Sequence, residues 1–313
     1  MSQPEKFVVS NEASQGLNFR SEPDPSDPTN IIATLPVSQE VIKLSQTSFP
    51  DWWKVETTID GIVKDGYVNR KFLRPAGSQS DVETHSSVSA VHLPTTGKNV
   101  RRGSKAFQAY PLTENPPVKR LASASAPERV NAIRQLLDWF DVEHSSRYTP
   151  DGNTYCNIYA YDYCYLTGAY LPRVWWTSQA LIRLSAGETV PVIYAATGNG
   201  SVTEKLANEL NDWFKQWGTT FGWRRTLDLN DMQAAANEGR VFITVARAKS
   251  GFHHGHGHIV AVVPEDDNHH AVRSNGQVIG TVQSQAGATN RKYKVDHWWN
   301  DGTYMDFGHW IHD

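Results

Sequence analysis

The residue best suited to nucleophilic chemistry is Cys156, which opens a stretch free of Pro and Gly that lasts until Gly168. Such a stretch predicts a helix of about three turns, with Asn153 or Thr154 as its cap. The N–H groups and dipole at a helix N-terminus favour an anion, and a thiol placed there beside a histidine ionises below about pH 7. The sequence therefore predicts that Cys156 acts as a thiolate nucleophile.

The chain has one other cysteine, Cys164, which is predicted to be a buried small hydrophobe. On one helix the two cysteines lie about 12 Å apart along the axis, beyond the about 7 Å between Cα atoms that a disulfide spans. The helical neighbours of Cys164 include Ala160 and Gly168, which favours a packing role. Both cysteines are thus expected to be free thiols, and only Cys156 to be reactive.

His258 is the candidate general base, because it opens an apolar run at residues 259–263. An imidazole at the mouth of a buried strand can take the proton of a thiol and later give it to the leaving amine. A third polar group usually orients such a histidine. Gln283 and Gln285 share one face of the next strand if that strand is regular, so either can accept a hydrogen bond from the ring, and we favour Gln285.

A metal site is the alternative interpretation of this region, since residues 252–258 contain four histidines and a His-x-His run can bind zinc. However, no Asp or Glu lies within the run, and the chain has no cysteine pair for a closed site. The sequence also lacks a Walker loop and a Gly-x-Gly-x-x-Gly element. We therefore expect no metal and no cofactor.

Helices followed by strands are predicted to position these groups. Ser125 and Glu128 have the spacing of a capping box, which predicts the start of a helix. Helices are predicted from Ser125, over 202–217 and from Asp228 or Asn230 to Asn237, and strands over 240–246, 258–263 and 277–282. Helices first and strands afterwards, joined by short turns, predict an α+β domain with an antiparallel sheet.

The remainder of the chain divides into three regions. Residues 1–16 are polar and are predicted to be flexible. Residues 17–75 contain short β-rich runs separated by turn residues, which predicts a small all-β barrel. Residues 76–124 are rich in Ser, Thr, Pro and Gly and are predicted to be a linker to the α+β domain at 125–313. The chain is thus expected to be multidomain, as its 313 residues allow.

Composition argues against two classes of protein. The net charge of −3 is not that of a protein built mainly to hold nucleic acid. No apolar run approaches the roughly 18–20 residues that span a bilayer, so no membrane span is expected. The first residues also lack a secretory signal, so a target outside the cytoplasm requires another route, such as host lysis or an injection apparatus. The sequence does not identify a delivery or immunity partner.

Two stretches around the candidate catalytic residues resemble the NlpC-type and CHAP-type cell-wall hydrolases of the papain-like superfamily. They are Thr154-Tyr155-Cys156-Asn157 with Asp162, and Gly257-His258-Ile259-Val260-Ala261-Val262-Val263. The shared order is a cysteine at a helix start, a histidine at a strand start and a polar residue on a following strand. The resemblance extends over residues 125–313 and implies a papain-like fold for that region.

The region 17–73 resembles the bacterial SH3 domain. Its marks, in chain order, lie at residues 17–23, 33–36, 52–55 and 66–69, followed by Phe72 and Leu73. The resemblance implies a targeting or regulatory module, often one that contacts cell-wall peptides. Alternatively, Trp52 and Trp53 belong to the barrel core and the module only positions its neighbour.

In enzymes of the NlpC and CHAP types the cysteine attacks a peptidoglycan amide, forms a thioester, and water releases the product. By position, Cys156 would be the nucleophile and His258 the general base, with the backbone N–H of Cys156 helping to hold the oxyanion. The resemblance therefore implies a peptidoglycan endopeptidase or amidase that acts at the cell wall or in the periplasm.

The long segment between the two motifs, residues 172–240, departs from the family pattern. Its tryptophans Trp175, Trp176 and Trp223 either wall a substrate groove or belong to the core. Tyr155 and Asn157, which flank the nucleophile, complete the predicted substrate-binding set.

Two other functions fit the same residues. The missing secretory signal is compatible with a toxin that deamidates or modifies protein glutamine on the same scaffold. The chain would instead be a non-catalytic wall-binding protein if both cysteines are structural.

Overall fold

Two units make up the fold in the computed structural model, residues 1–86 and residues 87–313. The residues that it describes are 5–10, 13, 16–36, 39–59, 62–76, 88–195, 200–252 and 255–313. Antiparallel sheets occur in both units and helices in the second, so the architecture is mixed α/β. Within the described ranges, no helix is both long enough and apolar enough to cross a membrane.

The described part of the first unit contains the strands β1 (Lys6–Val9), β2 (Leu17–Arg20), β3 (Ile31–Leu35), β4 (Glu40–Gln46), β5 (Trp52–Ile59), β6 (Ile62–Asn69) and β7 (Leu73–Pro75). They form one antiparallel sheet in the order β3-β2-β6-β5-β4-β1-β7. Alternate side chains of these strands form the core, where Val9, Phe19, Val41, Val55 and Val68 are fully buried.

Strand β1 shows order at residues 6–9, inside the segment 1–16 that was predicted to be flexible, while residues 1–4, 11, 12, 14 and 15 lie outside the described residues. It pairs with β4 on one side and β7 on the other, and it buries Val9 in the core. Phe7 packs against Trp53 with ring centroids 4.7 Å apart, and Trp52 is buried. A short apolar run near a polar terminus thus has enough side chains to complete a sheet.

The described part of the second unit contains helices and strands in the order α1 (Ala126–Phe140), α2 (Cys156–Thr167), β8 (Val174–Trp176), α3 (Ser178–Ser185), β9 (Val202–Glu204), α4 (Ala207–Trp217), β10 (Trp223–Thr226), α5 (Leu229–Asn237), β11 (Val241–Ala248), β12 (His258–Val262), β13 (Val272–Ser274), β14 (Gln277–Gln285), β15 (Arg291–Asp296) and β16 (Tyr304–His312). The main sheet has the order β10-β16-β11-β12-β14-β13, with β15 paired to β14. Strands β8 and β9 pair separately.

Helices cover both faces of the main sheet. Ile243 and Val245 of β11 pack in the cluster that contains residues of α1, α2 and α4. Phe242, which points to the opposite face, packs with Met232 of α5. Helix α2 packs against the sheet mainly through β12.

Several predicted boundaries agree with the structure. The capping box at α1 is present, with the Glu128 carboxylate accepting from the Ser125 backbone N–H at 2.8 Å. Asp228, rather than Asn230, caps α5 and accepts from the Asn230 backbone N–H at 2.8 Å. The strands predicted at 240–246, 258–263 and 277–282 correspond to β11, β12 and β14.

The helix predicted over 202–217 is wrong in its first turn. Val202 lies opposite Trp176 in the β8–β9 pair, so this end of the segment is extended. Helix α4 begins at Ala207, where the Glu209 carboxylate accepts from the Leu206 backbone N–H at 2.9 Å. The apolar side chains of Val202 and Leu206 extended the helical period beyond the true start of α4.

The linker predicted over 76–124 does not match the structure from residue 88 onward. Val91, Val100 and Leu112 are buried in the main core of the second unit. Arg120 donates to the backbone oxygens of Gly239 at 2.8 Å and Thr167 at 3.2 Å. Residues 88–124 pack into the core without forming helices or strands, and their content of turn-forming residues led to the linker prediction. Positions 77–87 lie outside the described residues.

Candidate active site

Helix α2 begins at Cys156, as predicted from the sequence. The residue before it, Tyr155, is the cap instead of Asn153 or Thr154, and its backbone oxygen accepts the N–H of Ile158 at 3.1 Å. The first N–H groups of a helix have no acceptor within the helix. Those of Cys156 and its neighbour act instead on the Cys156 sulfur, where they favour the anionic form.

His258 begins β12, also as predicted. The backbone N–H of the next residue, Ile259, acts on the sulfur of Cys156 as well. The sulfur therefore lies against the end of β12 that carries His258. Strand and helix bring Cys156 and His258 to one place although 102 positions separate them in the sequence.

A hydrogen bond orients the imidazole of His258. Its Nε2 lies 3.0 Å from Oε1 of Gln285, and Nε2 of Gln285 donates to the backbone oxygen of Thr289 at 3.3 Å. The second bond fixes the Gln285 amide with its oxygen toward the ring. Because that oxygen can only accept, Nε2 of His258 is the donor and the lone pair of the neutral ring is on Nδ1.

Trp298 packs against the same imidazole. Its ring meets that of His258 edge-on, with centroids 4.8 Å apart, and its Nε1 donates to Oε1 of Gln283 at 2.9 Å. A Cβ at Gly287 would come within 3.4 Å of Cε1 of His258, so a small residue fits there best. Of the two predicted glutamines, Gln285 thus bonds the histidine directly, whereas Gln283 holds the indole beside it.

Burial opposes the predicted ionisation of the Cys156 thiol near neutral pH. Burial raises the pKa of its thiol to about 11, although nearby backbone N–H groups and the charge of Arg173 act in the opposite direction. The side chain is only 5 % exposed, so the thiolate loses more hydration than the helix end restores. At neutral pH the thiol is protonated and needs a base before it can act as a nucleophile.

Tyr304, at the start of β16, is a site residue that the sequence reasoning missed. Its ring lies 5.0 Å from that of Trp298, between centroids. Burial raises the pKa of Tyr304, and the negative charges of Asp301 and of an ionised Cys156 raise it further. The β-rich residues 304–312 were the signal that could have revealed this strand.

Two buried polar contacts fix the rotation of α2. Asp162 accepts two hydrogen bonds from Arg147, at 2.6 and 3.2 Å, and one from Tyr148 at 3.0 Å. One turn nearer the nucleophile, the hydroxyl of Tyr159 lies 2.5 Å from that of Ser284 on β14. Rotation of the helix would break both contacts, so they hold the Cys156 side chain toward the sheet.

The three predicted groove tryptophans are buried, so the core alternative is correct for them. Trp175, Trp176 and Trp223 expose 3, 6 and 1 % of their surface, and Nε1 of Trp223 donates to the Tyr170 backbone oxygen at 2.7 Å. Asn157 is buried too, and its Nδ2 donates to the Lys205 backbone oxygen at 2.9 Å.

Tyr155 is the member of the predicted substrate-binding set that stays accessible. Its ring is half-buried, its hydroxyl donates to Asp151 at 2.7 Å, and the Lys105 ammonium lies 4.7 Å from the ring centroid. These contacts leave part of the ring on the surface next to the start of α2.

Two members of the histidine run, His253 and His254, lie outside the described residues. In the part of the chain that the structure does describe, no three His, Cys, Asp or Glu side chains are grouped to hold a metal ion.

Comparisons with known proteins add little to this geometry. Neither a protein-family model nor a curated protein matches the chain. Among solved structures, NlpC1 from Trichomonas vaginalis is similar at 12% identity and a TM-score of 0.20, over 100% of this chain and 69% of that one. NlpC2 from the same organism is similar at 10% identity and a TM-score of 0.24, over 100% of this chain and 98% of that one.

Proposed function

We propose that the second unit is a papain-like cysteine hydrolase that cleaves an amide bond in the stem peptides of peptidoglycan. Cys156 is the nucleophile, His258 the general base and Gln285 the group that orients the imidazole. One observation carries the proposal: the Ile259 N–H acts on the Cys156 sulfur, while the adjacent His258 bonds Gln285 at 3.0 Å.

In the first step, Nδ1 of His258 takes the thiol proton as the Cys156 sulfur attacks the carbonyl carbon. Burial raises the pKa of the Cys156 thiol, so at neutral pH only a small fraction of the substrate-free protein carries a thiolate. The proton transfer to His258 is therefore necessary. A C–S bond forms and the carbonyl electrons move to its oxygen. The N–H groups of Cys156 and Asn157 at the start of α2 lie beside this oxyanion and stabilise it.

In the second step, the imidazolium of His258 gives its proton to the amine nitrogen as the C–N bond breaks. The product is a thioester on Cys156. Water then attacks the thioester, with His258 again accepting a proton, and the thiol leaves as it regains that proton. Gln285 stabilises each imidazolium through the Nε2–H bond that it already accepts.

Peptidoglycan is proposed as the substrate because two features of the chain favour it. The motifs around Cys156 and His258 resemble those of wall hydrolases, and residues 17–73 resemble a module that often contacts wall peptides. The first unit folds with its own buried core, as a separate module would. In this proposal it is an SH3-like barrel, and the protein acts at the cell wall or in the periplasm.

The test is to digest purified peptidoglycan with the full chain and identify the released fragments by mass. New amine groups are expected, and the fragments would establish which bond is cleaved. Cys156→Ala should slow amine release by about 10³-fold or more, because the nucleophile is lost. Release by Cys156→Ala at the wild-type rate would overturn the mechanism. Intact wall together with glutamine side chains converted to glutamate in a target protein would favour the deamidase instead.

A further inference from the structure

Arg173 is a buried cation that the mechanism above does not use. Its side chain is 4 % exposed, and it precedes β8 in the segment that separates the two catalytic motifs. Its Nε donates to the Gln108 backbone oxygen at 3.1 Å, and its Nη2 forms an ion pair with Glu204. Burying an arginine is costly unless its charge is balanced, so Glu204 is what allows this cation to lie inside the unit.

The position of Arg173 relative to the nucleophile follows from a shared acceptor. The backbone oxygen of Lys205 accepts from Nδ2 of Asn157 at 2.9 Å and from Nη1 of Arg173 at 3.5 Å. Asn157 is the residue after Cys156, in the first turn of α2. The guanidinium therefore lies beside the helix end that carries the sulfur, and its charge lowers the pKa of the Cys156 thiol against the effect of burial.

A cation at this place is unusual in electrostatic terms. The N-terminus of a helix carries a partial positive charge, which repels another positive group. Arg173 and the dipole of α2 thus act in the same direction, and both favour negative charge at the start of the helix. The sulfur of Cys156 is there, and so is the oxygen that forms beside it when the thiol attacks.

Other charged or titratable groups near the sulfur are engaged elsewhere or play other parts. On α2 itself, the charge of Asp162 is balanced by Arg147 at 2.6 Å. Lys205 bonds Thr203 and Glu209, each at 3.4 Å. His258 on β12 is the proposed base, and Tyr304 on β16 is neutral because burial raises its pKa. Arg173 is therefore the permanent charge whose effect on the Cys156 sulfur can be tested by substitution.

We propose that Arg173, held in place by Glu204, is a positioning residue for the nucleophile: it stabilises negative charge on Cys156 during catalysis and ties the segment at 173–205 to the start of α2. Its meaning for catalysis rests on the proposed function. Arg173 thus gives a role to the segment at 172–240, and Glu204 modulates the reactivity of the Cys156 sulfur through the charge of Arg173.

Glu204 is the better residue to change, because its side chain is 36 % exposed while that of Arg173 is 4 % exposed. Glu204→Gln keeps the shape and leaves the charge of Arg173 unbalanced. Arg173→Met removes the cation and leaves the carboxylate. Arg173→Lys keeps the charge. Glu188→Gln is the matched control, since Glu188 pairs with Arg183 at 2.8 Å on the surface of the same segment.

The measurement is the rate at which iodoacetamide alkylates Cys156 between pH 7 and pH 11, with each cysteine resolved by fragment-ion mass spectrometry. At pH 8, Glu204→Gln should speed alkylation about three- to tenfold and Arg173→Met should slow it by a similar factor, as shifts of half to one pKa unit would. Arg173→Lys should retain most of the wild-type rate, the double variant should fall between the single ones, and Glu188→Gln should change nothing.

Unchanged alkylation of Cys156 in Glu204→Gln, at an unaltered melting temperature, would overturn the inference. An equal rise in labelling of Cys164 would overturn it as well, because it would mean that the core had opened. If Arg173→Met does not fold, Glu204→Gln still decides the matter. Alkylation needs no peptidoglycan, so its outcome is separate from the digestion experiment that tests the proposed function.

Discussion

The two ends of α2 carry the same side chain in different surroundings. At the first turn, backbone N–H groups and the charge of Arg173 act on the sulfur of Cys156 and partly offset its burial. Two turns later, Cys164 is fully buried, and burial alone raises the pKa of its thiol well above the ordinary value. Neither cysteine forms a disulfide. A thiol on this helix thus gains polar partners only where the helix end meets the start of β12.

The largest difference between the two cysteines is expected when each sulfur is removed in turn. Cys156→Ala should abolish amide hydrolysis, by about 10³-fold or more, and leave the fold intact, because it deletes the nucleophile. Cys164→Ala should keep hydrolysis but lower the free energy of unfolding by about 1–2 kcal/mol, since it leaves a small cavity. Peptidoglycan digestion and urea unfolding of both variants measure these effects. A reversal, with activity lost only in Cys164→Ala, would contradict the assignment.

A second substitution tests Asp162, which lies between the two cysteines on α2. Asp162→Asn should lower the free energy of unfolding by about 3–5 kcal/mol, because it leaves the buried Arg147 charge without its partner. Urea unfolding of the full chain, followed by tryptophan fluorescence, measures this loss. Asp138→Asn is the control, since Asp138 pairs with Lys292 at the surface and should change little. Equal effects in the two variants would mean that the buried pair does not anchor α2.

A third substitution tests the group that orients His258 and leaves both cysteines in place. Gln285→Ala should lower kcat by about 10²-fold with little change in KM, because the imidazole loses the acceptor that fixes its orientation. Gln283→Ala should have a smaller effect, since it reaches His258 only through Trp298. Steady-state kinetics on the same peptidoglycan preparation compare the two. A larger loss in Gln283→Ala would reassign the orienting residue.

The smallest expected effect is a dependence of stability on alkaline pH. Burial raises the pKa of Cys156 from 9.0 to about 11, so the unfolded thiol ionises before the folded one. Its contribution to stability is present below about pH 9 and is lost as the pH rises through about 11, by about 2 kcal/mol at that point. The difference in unfolding free energy between wild type and Cys156→Ala should therefore shift against wild type over this range. A constant difference would show that the thiol is not desolvated.

Local signals in the sequence predicted the parts of the site that depend on neighbouring residues. The capping spacing of Ser125 and Glu128 located α1, and the run after Cys156 located α2. The apolar run after His258 located β12, and the β-rich run from Gln277 located β14, the strand that carries Gln283 and Gln285. Each of these depends on periodicity or capping, which are properties of a few consecutive residues.

Features that depend on distant contacts were not predictable in this way. The burial that keeps the Cys156 thiol neutral comes from packing, and the pairing of Arg173 with Glu204 spans a strand and a helix. Residues 88–124 look like linker because their apolar side chains have no regular period, yet several fill the core. The last strand brings Tyr304 to the site from the end of the chain, and nothing near Cys156 in the sequence indicates it.

The most direct test of the central claim is the rate at which a chloromethyl ketone built from a stem peptide labels the protein at pH 7. Our account predicts that the label lies on Cys156, and that His258→Ala slows labelling by about 10²-fold or more because the neutral thiol then has no base. Labelling of Cys164 instead, or equal rates with and without the imidazole, would contradict the claim that Cys156 and His258 act as a pair.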